Sequence, residues 1–341
     1  MNSLKNMQIL IVNILSKLPA SLVLLPYHLA NFIVVTMASL LQLKCWARNS
    51  YYFKNIVPGL SDIDFTLFIP SSSPESTLQL FLTSYKDLKK IIPILGEVNI
   101  YKEKELPLIE KLINSYELKR DPLLTQNYLR SKKADDLEKI VYMLRMIESD
   151  FKSITQRSHL RRKKWTFHFK EIGLTPPENF DLRSIINSLD TLTQEFILSS
   201  QLETILSKMA KGHISLIYDE ATTIEQMKPI ILLYPHRWLV YSNGLNQTEH
   251  YLEQIEFNTS EENLILSHIR WELFGLITQR HNLSKESNLS NYLEMIIKFL
   301  DKIKGPHQES REALIQMVKD LQLLMINDFS DSKNLSSLPA L

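Results

Sequence analysis

Ser61-Asp62-Ile63-Asp64-Phe65-Thr66-Leu67-Phe68-Ile69 is the stretch whose reading decides the fold. β-Branched and aromatic residues dominate it, which predicts a strand. Side chains alternate faces along a strand, so Asp62 and Asp64 share one side, about 6.6 Å apart along the backbone. Ile63, Phe65 and Leu67 then face a core on the other side. Two carboxylates at that separation repel each other and call for a cation between them. Hard oxygen donors of this kind suit Mg²⁺, which borrows the rest of its shell from water and substrate phosphates. An Asp-x-Asp alone also fits a strand with a solvated acidic face.

Working upstream, Leu41–Ala47 reads as a first strand that ends in Arg48-Asn49-Ser50, and eleven residues separate Ser50 from Asp62. This pattern resembles the nucleotidyltransferase superfamily that includes DNA polymerase beta, the CCA-adding enzymes and the kanamycin nucleotidyltransferases. In that family a Gly-Ser pair ends the first strand, an Asp-hydrophobic-Asp opens the second about ten residues later, and a third carboxylate sits on a further strand. Pro58-Gly59-Leu60-Ser61-Asp62-Ile63-Asp64 is a close match. The family's glycine is Asn49 here. Glycine serves where the backbone needs positive φ or must approach a phosphate closely. Asparagine is the other residue that tolerates the left-handed region, so the turn can survive, although its side chain can crowd a triphosphate.

Downstream, Ser71-Ser72-Ser73-Pro74-Glu75 reads as a helix start with a serine cap. Leu78, Phe81, Leu82, Tyr85, Leu88 and Ile92 form one apolar face as far as Pro93. Leu95–Tyr101 then alternates like a strand, and Glu97 at its start resembles the family's third acid, the base that deprotonates the acceptor hydroxyl. Glu103 and Glu105 are weaker candidates, and an edge-strand glutamate without a role is the alternative for Glu97.

The resemblance implies a set of roles. Asp62, Asp64 and Glu97 are the catalytic and metal-ligating residues, with two Mg²⁺ ions as cofactors. An NTP is the substrate, attacked in line at its α-phosphate with loss of pyrophosphate. Asn49 and Ser50 would hold the outer phosphates, with Arg48 and Lys54 as further nucleotide-binding candidates. Each of those two cations also reads as an ordinary surface charge.

At 341 residues and 44% hydrophobic content, the chain is long and apolar enough for two domains. A net charge of +1 gives no global pull toward nucleic acid or membrane. The single cysteine, Cys45, excludes an intrachain disulfide and reads as a small buried residue in a reducing compartment, hence the cytoplasm. Only seven glycines occur, and neither a P-loop nor a Rossmann fingerprint is present. No charged residue lies between Lys17 and Lys44, so Leu22–Leu41 is long enough to span a bilayer. Pro26, His28, Asn31 and the abrupt entry into the first strand favour instead two helices, Leu4–Leu18 and about Pro26–Leu40, the second packed on the sheet.

Beyond Tyr101 the periodicity is helical, over Lys104–Tyr116, Lys133–Thr155, Leu182–Lys208, Asn263–Arg280, Leu289–Lys304 and Glu309–Ile326. Gly305-Pro306 separates the last two. The expected class is therefore α+β: a small nucleotidyltransferase head, a mixed sheet with flanking helices, over residues 1–118. A helical accessory domain follows over 119–327, and a Ser/Asn/Asp-rich disordered tail over 328–341. The body, similar in arrangement to the antibiotic nucleotidyltransferases, holds two notable patches. Arg157–Lys170 combines six basic residues with three aromatics, which suits single-stranded nucleic acid or a solvated turn whose aromatics anchor a core. Tyr234-Pro235-His236-Arg237-Trp238 reads as a structural corner or as a contact to nucleotide or acceptor.

The function expected is transfer of a nucleoside monophosphate to a hydroxyl-bearing acceptor, a small molecule rather than nucleic acid, with no membrane partner. RNA tailing is the competing activity. A degenerate member that binds nucleotide or a partner without turnover is the competing non-enzyme.

Overall fold

The computed structural model describes residues 17–58, 61–130, 133–210, 223–241, 248–282 and 289–335. The helix expected over Leu4–Leu18 lies outside these residues except for its last two, and Gly59 and Leu60 also lie outside. The chain divides into two compact units: residues 1–134 with 157–176, and residues 135–156 with 177–341.

The first unit is built on a three-stranded mixed sheet whose strands lie side by side in chain order. Helix α1, Ala20–Leu40, leads into β1, Lys44–Arg48. Pro26 lies inside α1 rather than at its start. It is exposed, so the Leu22 carbonyl that its missing N–H would have bonded can turn to water. After β1 comes a single helical turn, α2, Asn49–Tyr52, and then β2, Ile63–Ile69, antiparallel to β1 with Arg48 opposite Asp64. A parallel partner requires a crossover, and α3, Glu75–Ile91, carries the chain back to β3, Leu95–Lys102. The serine cap expected for α3 is not used: Pro74 is the N-cap residue and no side chain caps the helix.

One face of the sheet packs a conventional apolar core. Cys45, Ile63, Phe65 and Leu67 meet Tyr27, Ala30, Val34 and Ala38 of α1 and Leu78, Phe81 and Tyr85 of α3. The α1 residues recur every three to four positions, as a single buried stripe requires. Leu22, Leu25, Leu29 and Phe32 on the rest of α1 are exposed. Among the described residues α1 is the one helix long and apolar enough to cross a membrane, by length and composition alone.

The other face is covered too, by polar chemistry. Past β3, a 3-10 turn (Glu103–Glu105) leads to α4, Leu106–Leu112, α5, Ser115–Lys119, and α6, Pro122–Asn127. The break between α4 and α5, at Ile113 and Asn114, interrupts the helix expected through Tyr116. Thr66 donates to Asp121, Arg48 pairs with Glu117 at 3.2 Å, and Phe68 stacks on Tyr128 with ring centroids 4.1 Å apart. Burial opposes the charge on Arg48, but Glu117 and then Asp64, Tyr101 and Asp121 outweigh it and raise the pKa. Burial pushes the Asp121 carboxyl up against the opposing pull of Arg48 and Thr66.

Helix α7, Asp136–Glu171, begins in the second unit and ends in the first. Its last turns contain the basic, aromatic patch, which is therefore helical rather than a turn. Trp165, His168 and Phe169 are buried there, and Phe167 meets Phe53 at 5.4 Å. The side chains of Arg157, Arg161 and Lys163 lie outside the described residues.

The second unit is helical. It continues with α8, Leu182–Thr193, α9, Ser199–Ala210, α10, Ile224–Leu233, α11, Pro235–Tyr241, and α12, Thr248–Gln254. Then follow α13, Thr259–Gln279, α14, Leu289–Lys302, and α15, Gln308–Leu335. The run expected over Leu182–Lys208 is thus two helices. Asn258 and Glu261 cap α13 reciprocally, satisfying two of its otherwise orphaned N–H groups. Gly305 ends the α14 segment where a Cβ would lie 2.3 Å from Glu262 Oε2, and Glu262 in turn holds Arg311 at 3.3 Å. Helix α15 runs past Asp328, where composition pointed to a tail, as far as Leu335; residues 336–341 lie outside the described set. The described residues are α+β, mostly helical, with one small mixed sheet.

Candidate functional site

The approach to β2 is fixed before the first carboxylate. Ser61 N–H donates to the Val57 carbonyl at 2.8 Å, and Val57 N–H donates to Ser61 Oγ at 2.9 Å. Tyr27 of α1 donates to the Ser61 carbonyl at 3.0 Å. Asp62 follows Ser61 directly and precedes the strand by one residue, while Asp64 lies within it.

Between β2 and β3 the register slips: Ile63 faces Leu95, but Phe65 faces Val98. Gly96 and Glu97 together oppose Asp64, a bulge of two residues against one. It turns the Glu97 N–H onto Asp64 Oδ1 at 3.0 Å. A Cβ on Gly96 would sit 2.3 Å from Asp64 Oδ1 and 3.2 Å from Asp62 Cγ, so both carboxylates crowd the space this glycine leaves open. Gly96→Ala should therefore displace Asp64 and cost about 1–3 kcal/mol, the usual range for overpacking. Urea unfolding of the variant checks this.

The turn after β1 completes the arrangement. Asn49 has φ +54°, in the left-handed region. Its Nδ2 donates to Asp64 Oδ2 at 2.7 Å, and its N–H donates to the Arg120 carbonyl at 3.3 Å. Both oxygens of Asp64 thus accept a hydrogen bond, leaving lone pairs on each. Ser50 is half-buried in the same turn.

Asp62 keeps part of its side chain in solvent, yet its carboxyl is pushed above the ordinary range. Protein crowded around it contributes most and the charge of Asp64 next; Glu97 adds to the rise, while Lys164 opposes it. The structure thus brings together Asn49, Asp62, Asp64 and Glu97. The charge of Lys164, in the basic patch near the end of α7, also bears on Asp62. Nothing local in the sequence ties Lys164 to Asp62.

Four other candidates have other engagements. Arg48, expected to meet phosphate, is buried and committed to Glu117. Lys54, exposed at φ +54°, lines a cavity beneath α1. Glu103 accepts the Ser71 N–H at 2.8 Å, and Glu105 is buried in the turn after β3. Among the described residues no three His, Cys, Asp or Glu lie close enough together to hold a metal ion, so Asp62, Asp64 and Glu97 do not form a closed metal-ligand set. The Asp62–Asp64 pair still offers hard oxygen donors of the kind that Mg²⁺ takes.

In the second unit, Tyr234–Trp238 forms the corner between α10 and α11. Arg237 pairs with Glu148, Arg145 with Glu272, and His236 lies 3.6 Å from Glu148 and 3.8 Å from Glu272. Burial pushes the Glu148 carboxyl up, but the His236 hydrogen bond and the charges of His236, Arg237 and Arg145 outweigh it and hold it at about 2. A carboxyl lowered on folding stabilises the folded state above its unfolded pKa near 4.5 and loses that stabilisation as pH falls through 2. About 3 kcal/mol should therefore vanish between those values, and Glu148→Gln should flatten that part of the stability profile. Chemical denaturation across this pH range is the check.

No family model matches the chain, no curated protein matches it, and no solved structure matches it.

Proposed function

We propose that the first unit is a nucleotidyltransferase head that transfers a nucleoside monophosphate from an NTP to a hydroxyl-bearing small molecule and releases pyrophosphate. The observation that carries this reading is the convergence on Asp64. A left-handed turn after β1 bonds one carboxylate oxygen through Asn49, and the β3 bulge bonds the other through the Glu97 N–H. The order of strand, Asn49-Ser50 turn, paired carboxylates, helix and Glu97 strand agrees with the superfamily pattern that the sequence resembles.

In this reading Asp62 and Asp64 hold Mg²⁺, which supplies Lewis-acid stabilisation of the entering and leaving oxygens when bound. Glu97, exposed on β3, takes the proton as the acceptor oxygen bonds to the α-phosphorus and the bond to pyrophosphate breaks. Ser50 and Lys164 meet the phosphates; Arg48, turned to Glu117, is not part of that grip. The acceptor is taken as a small molecule, because Trp165 and Phe169 of the α7 patch are packed inward and half-buried Phe167 is engaged by Phe53, which leaves little for a base to stack on. An NTP substrate and a buried free thiol at Cys45 are in keeping with the cytoplasm.

One observation favours a second reading, binding without turnover: the Asn49 amide sits on the carboxylate that would otherwise face a metal. Asn49→Gly separates the two. It removes that amide while keeping positive φ at a modest entropic cost. The active reading expects NTP affinity and turnover to hold or rise, whereas Asn49→Val should lose both, since a β-branched residue resists this φ. Calorimetric titration with NTP and a pyrophosphate-release assay on all three proteins decide. Equal NTP affinity in the three would remove Asn49 from the phosphate turn.

A further inference from the structure

A cavity of about 960 Å³ lies within the first unit between α1, the edge strand β1 and the segment after α2. That volume is at the upper end of the roughly 300–1,000 Å³ typical of small-molecule sites. Its walls are apolar, with Val23, Leu24, Val35, Ala47, Ile56 and Pro58 among them. Water gains few hydrogen bonds in such a space, so an apolar occupant is favoured. Aromatic and polar groups edge it: Tyr51 and His28 form a hydrogen-bonded pair at 2.8 Å, and Trp46 is 39% exposed.

The charge pattern selects the occupant further. Among the described residues that line the cavity, Lys54 carries the one formal charge and none is acidic. No ion pair to Lys54 occurs among the described residues, so its ammonium is available to an anion. We infer that this cavity binds a single-chain anionic amphiphile, its aliphatic chain along α1 and β1 and its carboxylate or phosphate head at Lys54. The site is separate from the Asp62–Asp64 pair and stands whether or not that pair turns over NTP.

The test uses the full-length protein with four probes below their micellar concentrations: dodecanoate, dodecyl phosphate, dodecanol and dodecyltrimethylammonium. Saturable binding by calorimetry, with a concentration-dependent rise in Tm, is expected for at least one of the two anions. The tighter anion identifies the head group. Dodecanol should bind about tenfold more weakly for want of a charge-assisted contact, and the cation not at all. Lys54→Gln should erase the preference for the anion over dodecanol while leaving dodecanol affinity unchanged. Val35→Trp should fill the cavity and abolish binding of every probe. Ala20→Trp, at the exposed first residue of α1, does the same job if Val35→Trp fails to fold. Equal affinity for anion and cation, or undiminished binding in a folded cavity-filled variant, would overturn the assignment, as would the absence of binding by both anions.

Discussion

Under the proposed function, Asp64→Asn is expected to lower nucleotidyl transfer by about 10³-fold or more, the scale seen when a group that stabilises transition-state charge is removed. The substitution keeps the size of the side chain but removes the charge that would hold Mg²⁺. One Asn oxygen cannot accept from both Asn49 Nδ2 and the Glu97 N–H with the strength of a carboxylate, so the β2–β3 bulge loses part of its tether as well. Asp62→Asn should abolish transfer to the same extent with the opposite effect on the fold. Its carboxyl is pushed up by crowding and by Asp64, so losing the charge relieves a cost present at neutral pH, and Tm should rise slightly. Single-turnover assays and thermal melts of both variants check the pair. Ordinary turnover in both would end the carboxylate account.

Glu117→Ala should destabilise the first unit by about 3–5 kcal/mol. It strands the guanidinium of Arg48, a residue 5% exposed at the end of β1, without its ion-pair partner. The penalty is that of the uncompensated charge rather than the worth of the pair, so Arg48→Met combined with Glu117→Leu should recover most of it. Denaturant midpoints for the single and double variants give the comparison. A double variant no better than Glu117→Ala would show that the pair itself supplies the stability.

The strands and the turn were legible because their signals are local. Alternation marks β2 and β3, and the residue after β1 was readable as left-handed because asparagine stands where that conformation is tolerated. The bulge that brings the Glu97 N–H to Asp64 was not legible, although Gly96 marks it: a glycine within a strand signals a bulge or a close approach without saying which. Arg48 was misplaced because an arginine beside a candidate phosphate turn looks like a ligand, and its partner Glu117 lies 69 residues away on a short helix. The end of α7 shows how a charge run conceals a core. Trp165, His168, Phe169 and Ile172 keep helical spacing and are all buried, but Arg161–Lys164 immediately before them suggested solvent. The charge of Lys164 bears on Asp62 only through the fold, which no periodicity encodes.

The most direct test of nucleotidyl transfer is incubation of the purified protein with α-labelled NTPs, Mg²⁺ and a metabolite extract, following both the label and released pyrophosphate. The account predicts label on a small molecule, with pyrophosphate released in equal amount, and neither product from Asp64→Asn. NTP binding with no labelled product and no pyrophosphate, in the wild type and in Asn49→Gly alike, would contradict it.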